Sequence, residues 1–105
     1  MHRYPRYAVS VGGTTIDLKD LQYFITVYEQ NGFLRAGALL NTVQSNVSSR
    51  IRKLEEHLGT TLFIRLHRGV KPTTTGEILY PRAKQLIALA QEIEQRARAR
   101  VRETA

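Results

Sequence analysis

The sequence contains no cysteine, only three prolines and no long apolar run. Without cysteine there is neither a disulfide framework nor a thiolate metal site. The three histidines, His2, His57 and His67, lie far apart with no helical i, i+4 pairing, so they read as unrelated surface residues and no metal or cofactor is expected. No apolar stretch approaches the roughly 20 residues needed to span a bilayer. Arg3 and Arg6 precede Ala8-Val9-Ser10-Val11, but that run is too short for the apolar segment of a secretory leader. The chain therefore reads as cytoplasmic. It shows no nucleophile–base pairing, phosphate loop, metal set or carboxylate pair in a plausible cleft, and reads as non-enzymatic.

Acidic residues are also scarce. Nine Asp/Glu stand against sixteen Lys/Arg, a formal charge of +7 on 105 residues. An excess of that size in a small domain favours an anionic partner, either nucleic acid or an acidic membrane surface. The length gives room for one domain, whose core must be compact and largely helical.

Residues 1–16 show no period and carry Tyr4-Pro5 and Gly12-Gly13, which reads as a flexible N-terminal arm. Regular structure is expected from Asp17, a good N-cap. Leu18, Leu21, Phe24, Ile25 and Tyr28 then recur at helical spacing up to the stop signal Asn31-Gly32. A short second helix follows from about Phe33 to Leu40, with Phe33, Ala36, Gly37 and Leu40 inward. Its small residues let another helix approach. After a tight connection with Thr42 as cap, a third helix runs from about Gln44 to His57, its buried stripe formed by Val47, Ile51, Leu54 and Leu58. Gly59 ends it.

Two β-like runs, Leu62–Arg65 and Val70–Pro72, flank a Gly-containing tip, which predicts a hairpin. Pro72 has no N–H to give to a ladder and confines that hairpin to an edge. Thr73–Glu77 caps a fourth helix, expected from about Thr75 to Val101, with Pro81 bending but not breaking it. Leu79, Ala83, Leu86, Ala90, Ile93 and Ala97 alternate four and three residues apart, a coiled-coil-like seam that wants a partner helix. Arg96, Arg98, Arg100 and Arg102 beyond it form a basic, frayed end.

The predicted fold is mainly α: a winged helix-turn-helix of three helices plus a two-stranded wing (residues 17–74), followed by a long dimerising linker helix (residues 75–105). Opposite its apolar stripe the third helix shows Gln44, Ser45, Ser48 and Ser49, with Asn46 on its flank. Amides can pair bidentately with adenine, and serine can serve several bases or a phosphate. Arg35, Arg50, Arg52, Lys53, His67, Arg68 and Lys71 surround this polar tip as candidates for phosphate and wing contacts. Glu55 and Arg65 read as ion-pair or capping residues holding the third helix against the wing. Phe24, Phe33 and Phe63 read as core, while Tyr23 and Tyr28 fit either core or surface.

From Leu18 to about Ala90 the chain resembles the N-terminal part of LysR-type transcriptional regulators in unbroken register. The matching residues are Leu21-x-x-Phe24, Gly32-Phe33-x-x-Ala36, Leu40, Gln44, Ser48, Ile51, Leu54-Glu55, Leu58-Gly59, Leu62-Phe63-x-Arg65 and Thr73-x-x-Gly76. The resemblance implies that Gln44, Ser45, Ser48 and Ser49 hold base- and backbone-contacting positions. It further implies that Arg68 lies at a minor-groove-facing wing tip and that the last helix is the dimerising linker. Departures occur at Gly32, where the family has serine, at Gly37 for alanine, at Ser45 for proline and at Ser49 for arginine. They bear on base preference and leave the fold intact. The family continues into an effector-binding domain, so the chain reads as the DNA-binding fragment of such a regulator, with no small-molecule ligand of its own. The expected partners are double-stranded DNA and a second copy, with pairing into tetramers in a full-length protein. The alternatives are a winged helix of another regulator family, such as the molybdate-responsive type, and a protein-interaction winged helix. A membrane partner is not expected.

Overall fold

The computed structural model describes residues 8–11 and 14–104. Two short strands come first, β1 (Ala8–Val11) and β2 (Thr14–Asp17), then the helices α1 (Leu18–Gln30), α2 (Phe33–Leu39) and α3 (Gln44–Leu58). The wing strands β3 (Phe63–Arg65) and β4 (Val70–Pro72) follow, and α4 (Thr74–Thr104) closes the chain.

Local chemistry sets the element ends. Asp17 takes an extended conformation and its carboxylate accepts from the Lys19 N–H at 2.9 Å, capping α1. Asn31, left-handed at φ 57°, stops it. Between α2 and α3 the Thr42 N–H donates to the Gly37 carbonyl at 2.8 Å. A Cβ on Gly37 would stand 3.0 Å from the Thr42 carbonyl oxygen, so a side chain there would need the tight turn to give by a few tenths of an ångström. Gly59, at φ 74°, ends α3 by donating to the carbonyls of Glu55 and Glu56.

The core lies where α1, α2 and α3 meet. Phe24, Val27, Ala36, Val47 and Ile51 are buried there, closed over by Leu62, Phe63 and Val70 from the wing and Ala83 from α4. Phe63 reaches Phe24 with ring centroids 5.5 Å apart and meets Phe33 edge-on at 6.4 Å. These three phenylalanines are core, as expected. Tyr23 is buried, and half-buried Tyr28 stacks on Tyr80 at 3.9 Å.

The wing is tied down at both ends. Glu55 accepts from the N–H groups of Leu62 (2.7 Å) and Phe63 (3.3 Å), so it holds α3 against the base of the wing through backbone donors. At the tip, Val70 donates to the Asn31 carbonyl at 3.1 Å. A Cβ on Gly69 would come within 2.5 Å of that same oxygen. Thr73 then caps α4, its hydroxyl accepting from the Gly76 N–H at 3.0 Å while donating to the Thr61 carbonyl at 2.8 Å. Gly76 is equally constrained, since a Cβ there would stand 2.4 Å from the Leu62 carbonyl.

Helix α4 has 31 residues, about 46 Å at 1.5 Å per residue, against a longest molecular dimension of 55 Å. Its first half packs on α1 and its second half projects, with residues 91–103 all exposed. Tyr80 donates to the Glu29 carboxylate, which also meets Lys84 at 3.1 Å, fastening α4 to α1. Pro81, eight residues into the helix, leaves it unbroken.

The structure corrects several expectations. Residues 8–11 and 14–17 pair as antiparallel strands, Ala8 opposite Asp17 and Val11 opposite Thr14, in place of a loose arm. The arm's residues 1–7, 12 and 13 lie outside the described residues. The residue capping α3 is Val43, not Thr42, and it supplies no side-chain hydrogen bond. Leu58 is 39% exposed because α3 runs out past the core at its last turn. Helix α4 extends further at both ends than expected, and its arginine-rich end is helical, with Arg96 and Arg98 reaching back to Glu92 and Glu94.

The seam on α4 is divided. Ala83 is buried and Leu79 and Ala90 are half-buried, with Ala83 and Leu79 packed in the chain's own core. Leu86, Ile93 and Ala97 remain exposed. Ile78 and Leu89, absent from the expected seam, are 62% and 53% exposed about three turns apart on one side of the helix. The open stripe therefore sits to one side of the predicted one.

Candidate nucleic-acid interface

Helix α3 presents three flanks, following from Val47, Ile51 and Leu54 facing inward at helical spacing. Ser45, Ser49 and Arg52 point away from the core and are exposed. Gln44 and Ser48 lie toward the wing, while Asn46 and Arg50 lie toward α1. Each flank has its own chemistry.

On the outer flank, Ser45, Ser49 and Arg52 offer two hydroxyls and a guanidinium to solvent. Lys53 is exposed next to them. On the wing flank, Ser48 accepts a 2.7 Å hydrogen bond from Arg65, whose guanidinium lies 4.5 Å over the Phe33 ring. Arg65 thus joins wing, α2 and α3, as its sequence position suggests, although through a hydroxyl and an aromatic face and not through an ion pair. The Ser48 hydroxyl keeps its own proton for another acceptor.

The α1 flank is occupied internally. Arg50 pairs with the buried Asp20 at 2.9 Å, lies 5.0 Å over the Tyr23 ring and leaves its Nε buried without a partner. Asn46 donates to Thr42 at 3.0 Å and to the Tyr23 hydroxyl at 3.4 Å. Spacing alone groups Arg50 with the phosphate candidates and Asn46 with the base readers. The structure instead engages both in holding α3 to α1, because Asp20 and Tyr23 come within reach of them across the helix pair.

The remaining candidates surround one open groove of about 490 Å³ between α2, the start of α3 and the wing. Arg35, Gln44, Arg65 and His67 line it together with Asn31, Gly32 and Gly69 and the apolar Phe33, Leu34, Leu66 and Val70. Arg68 and Lys71 are exposed on the wing beyond. Arg35, Arg52, Lys53, Arg68 and Lys71 have no carboxylate partner among the described residues, so their charge is available to an external anion. At the tip of α3 no side chain caps the first turn, leaving N–H donors open toward the same side. Among the described residues no group of three or more His, Asp or Glu is placed to hold a metal ion.

Sequence comparison decides the family. Residues 18–77 match the bacterial regulatory helix-turn-helix proteins of the lysR family, more than half of the chain. The chain belongs to the LysR family. Its relatives include the HTH-type transcriptional regulator BudR of Klebsiella aerogenes, 40% identical over 83 residues, which cover 79% of this chain and 58% of BudR. The HTH-type transcriptional regulator AbaB of Streptomyces antibioticus is 50% identical over 68 residues, 65% of this chain and 23% of AbaB. This LysR-family chain thus spans little more than half of one relative and about a quarter of the other.

Among solved structures, the CbnR DNA-binding domain in complex with DNA superposes with a TM-score of 0.78 at 30% identity, covering 82% of this chain and 99% of that one. The BenM DNA-binding domain bound to benA site 1 DNA gives 0.76 at 32% identity over 80% and 94% of the two chains. The winged helix-turn-helix predicted from the hydrophobic spacing is therefore the LysR-type fold. Sequence reasoning misses the Arg65–Ser48 contact and the exposure of Val43. An unusual N-cap residue is the available signal for the latter.

Proposed function

We propose that this LysR-type helix-turn-helix domain is a dimeric, sequence-specific DNA reader acting in transcription within the cytoplasm. It inserts the start of α3 into the major groove and sets the wing on the adjacent backbone. The observation that carries the reading is the uncapped, polar tip of α3 standing beside a groove lined by Arg35, Gln44 and His67, with unpaired cations on both sides. A donor-rich helix tip between two positive ridges suits a base reader held between two phosphate strands. The likeness to the DNA-bound CbnR and BenM domains supports it.

Gln44, Ser45, Ser48 and Ser49 are the base and backbone contacts. Arg35, Arg52, Lys53, His67, Arg68 and Lys71 engage phosphates and the wing-side groove. The exposed stripe Ile78–Leu86–Leu89–Ile93 on α4 supports pairing with a second copy, which would present two reading helices to an interrupted dyad. The partners are double-stranded DNA and that second copy. No helix among the described residues is long and apolar enough to cross a membrane.

Selection of bound duplexes from fragmented genomic DNA at near-physiological salt tests the proposal. Enrichment of an interrupted dyad is the expected result. Uniform retention of every fragment, abolished as salt rises, would reduce the interaction to charge alone and remove the base-reading assignments.

A further inference from the structure

Val43 is out of keeping with its place. Helix N-caps favour Ser, Thr, Asp or Asn, whose side-chain oxygen satisfies an open N–H of the first turn. Here the cap of α3 is a valine in extended conformation, φ −93° and ψ 156°, with no capping bond. Packing does not explain the choice, since Val43 is 64% exposed and stands outside the core cluster. The helix therefore forgoes a stabilising cap and displays an apolar, β-branched side chain whose χ1 is stiff. That side chain precedes Gln44, which lines the groove beside Arg35 and His67.

Beside the amide of Gln44 and the hydroxyl of Ser45 at the tip of α3, a rigid apolar side chain has one complementary group on a major-groove base edge, the C5-methyl of thymine. We infer that Val43 is a specificity-determining residue that selects a thymine beside the base pair contacted by Gln44. The inference rests on the base-reading role proposed above and adds a contact made through the side chain that replaces the cap. It also accounts for why a hydroxyl is missing there. A serine or threonine would cap the helix but place a polar group against the methyl.

The test uses the duplex recovered by selection, with its thymines replaced one at a time by uracil, which removes the methyl and keeps the pairing. Binding is compared for the native chain and Val43→Ser, and melting by circular dichroism serves as the control for folding. For the native chain, one uracil position in each half-site should weaken binding about fourfold, the factor for returning one methyl-sized group to water. Val43→Ser should bind both duplexes equally and melt no lower than the native chain, because it regains a cap. A clear motif with binding insensitive to uracil at every position would overturn this inference alone. So would an undiminished uracil effect in Val43→Ser. Recovery of no motif would remove the base-reading role and this contact with it.

Discussion

Removing the Asp20 carboxylate should destabilise the domain more than any surface charge would. Asp20→Ala leaves Arg50 with its Nε already unpartnered and its Nη1 newly so, in a site where the Asp20 side chain is 5% exposed and the Arg50 side chain 28%. Breaking a buried pair from one side costs about 3–5 kcal/mol. Water reaches the exposed edge of Arg50, so the figure here is about 2 kcal/mol, or roughly 10 °C in Tm for a domain of this size. Arg50→Met should cost at least as much, because it strands the more deeply buried partner.

The double variant Asp20→Ala/Arg50→Met removes both charges and keeps an apolar stem against Tyr23. It should recover to within about 1 kcal/mol of the native chain. Urea unfolding at constant m-value measures all four corners of this cycle. Additive losses, with the double variant as unstable as the sum of the singles, would refute the claim that the pair is one unit holding α3 to α1. Arg50→Met should also leave the salt dependence of DNA binding unchanged, since this arginine is turned inward.

Arg68→Ala should behave in the opposite way, with little change in stability and a slope of log K against log salt reduced by about 0.9 for each phosphate no longer neutralised. Replacing Leu86 and Ile93 together with Asp should give monomers by analytical ultracentrifugation and much weaker DNA binding, and a persistent dimer would place the pairing surface elsewhere. Tyr80→Phe keeps the ring stack on Tyr28 and removes the bond to Glu29, at a cost of at most ~1 kcal/mol. That bond holds the Glu29 carboxyl below its ordinary value of 4.5, with Lys84 adding to the effect against partial burial, and pushes the Tyr80 hydroxyl up to about 12. A lowered acid stabilises the fold above its ordinary pKa and stops doing so as pH falls through the lowered value. A raised tyrosine stabilises below pH 10 and stops as pH climbs toward 12. The difference in Tm between native and Tyr80→Phe should therefore be flat from about pH 5 to 9.5 and shrink on both sides. A constant difference across the acid range would exclude the hydrogen bond to ionised Glu29 as its source.

Features determined within a few residues are legible in the sequence. Asp17 and Asn31 bound α1 where their side chains and conformations place its ends, and Gly59 stops α3. The stripe Val47, Ile51 and Leu54 places the inner face of α3 correctly, since that periodicity depends only on burial. Contacts between distant residues are not legible. Arg50 and Asp20 are thirty positions apart, and no local pattern distinguishes an inward arginine from an outward one. Val27 escapes notice because α1 is covered by α4 as well as by α2 and α3, so its buried face is wider than one stripe. The same packing explains the divided seam on α4, where Ala83 meets the chain's own core before any second copy can. The strands Ala8–Val11 and Thr14–Asp17 are runs rich in Val, Thr and Ile, a strand signal that goes unread where no helical period is present.

The anchoring of the wing at Asn31 has a consequence for how the domain meets a ligand. A hairpin with three-residue strands has almost no stability alone and would sample many orientations. Clamped at its tip to the end of α1 and at its base to Glu55, it becomes a fixed caliper jaw whose opening relative to α3 is set before any encounter. In the proposed binding mode, a duplex of unsuitable groove width would meet a wing already held in place and would itself have to deform, so the bending stiffness of the DNA would enter the selectivity.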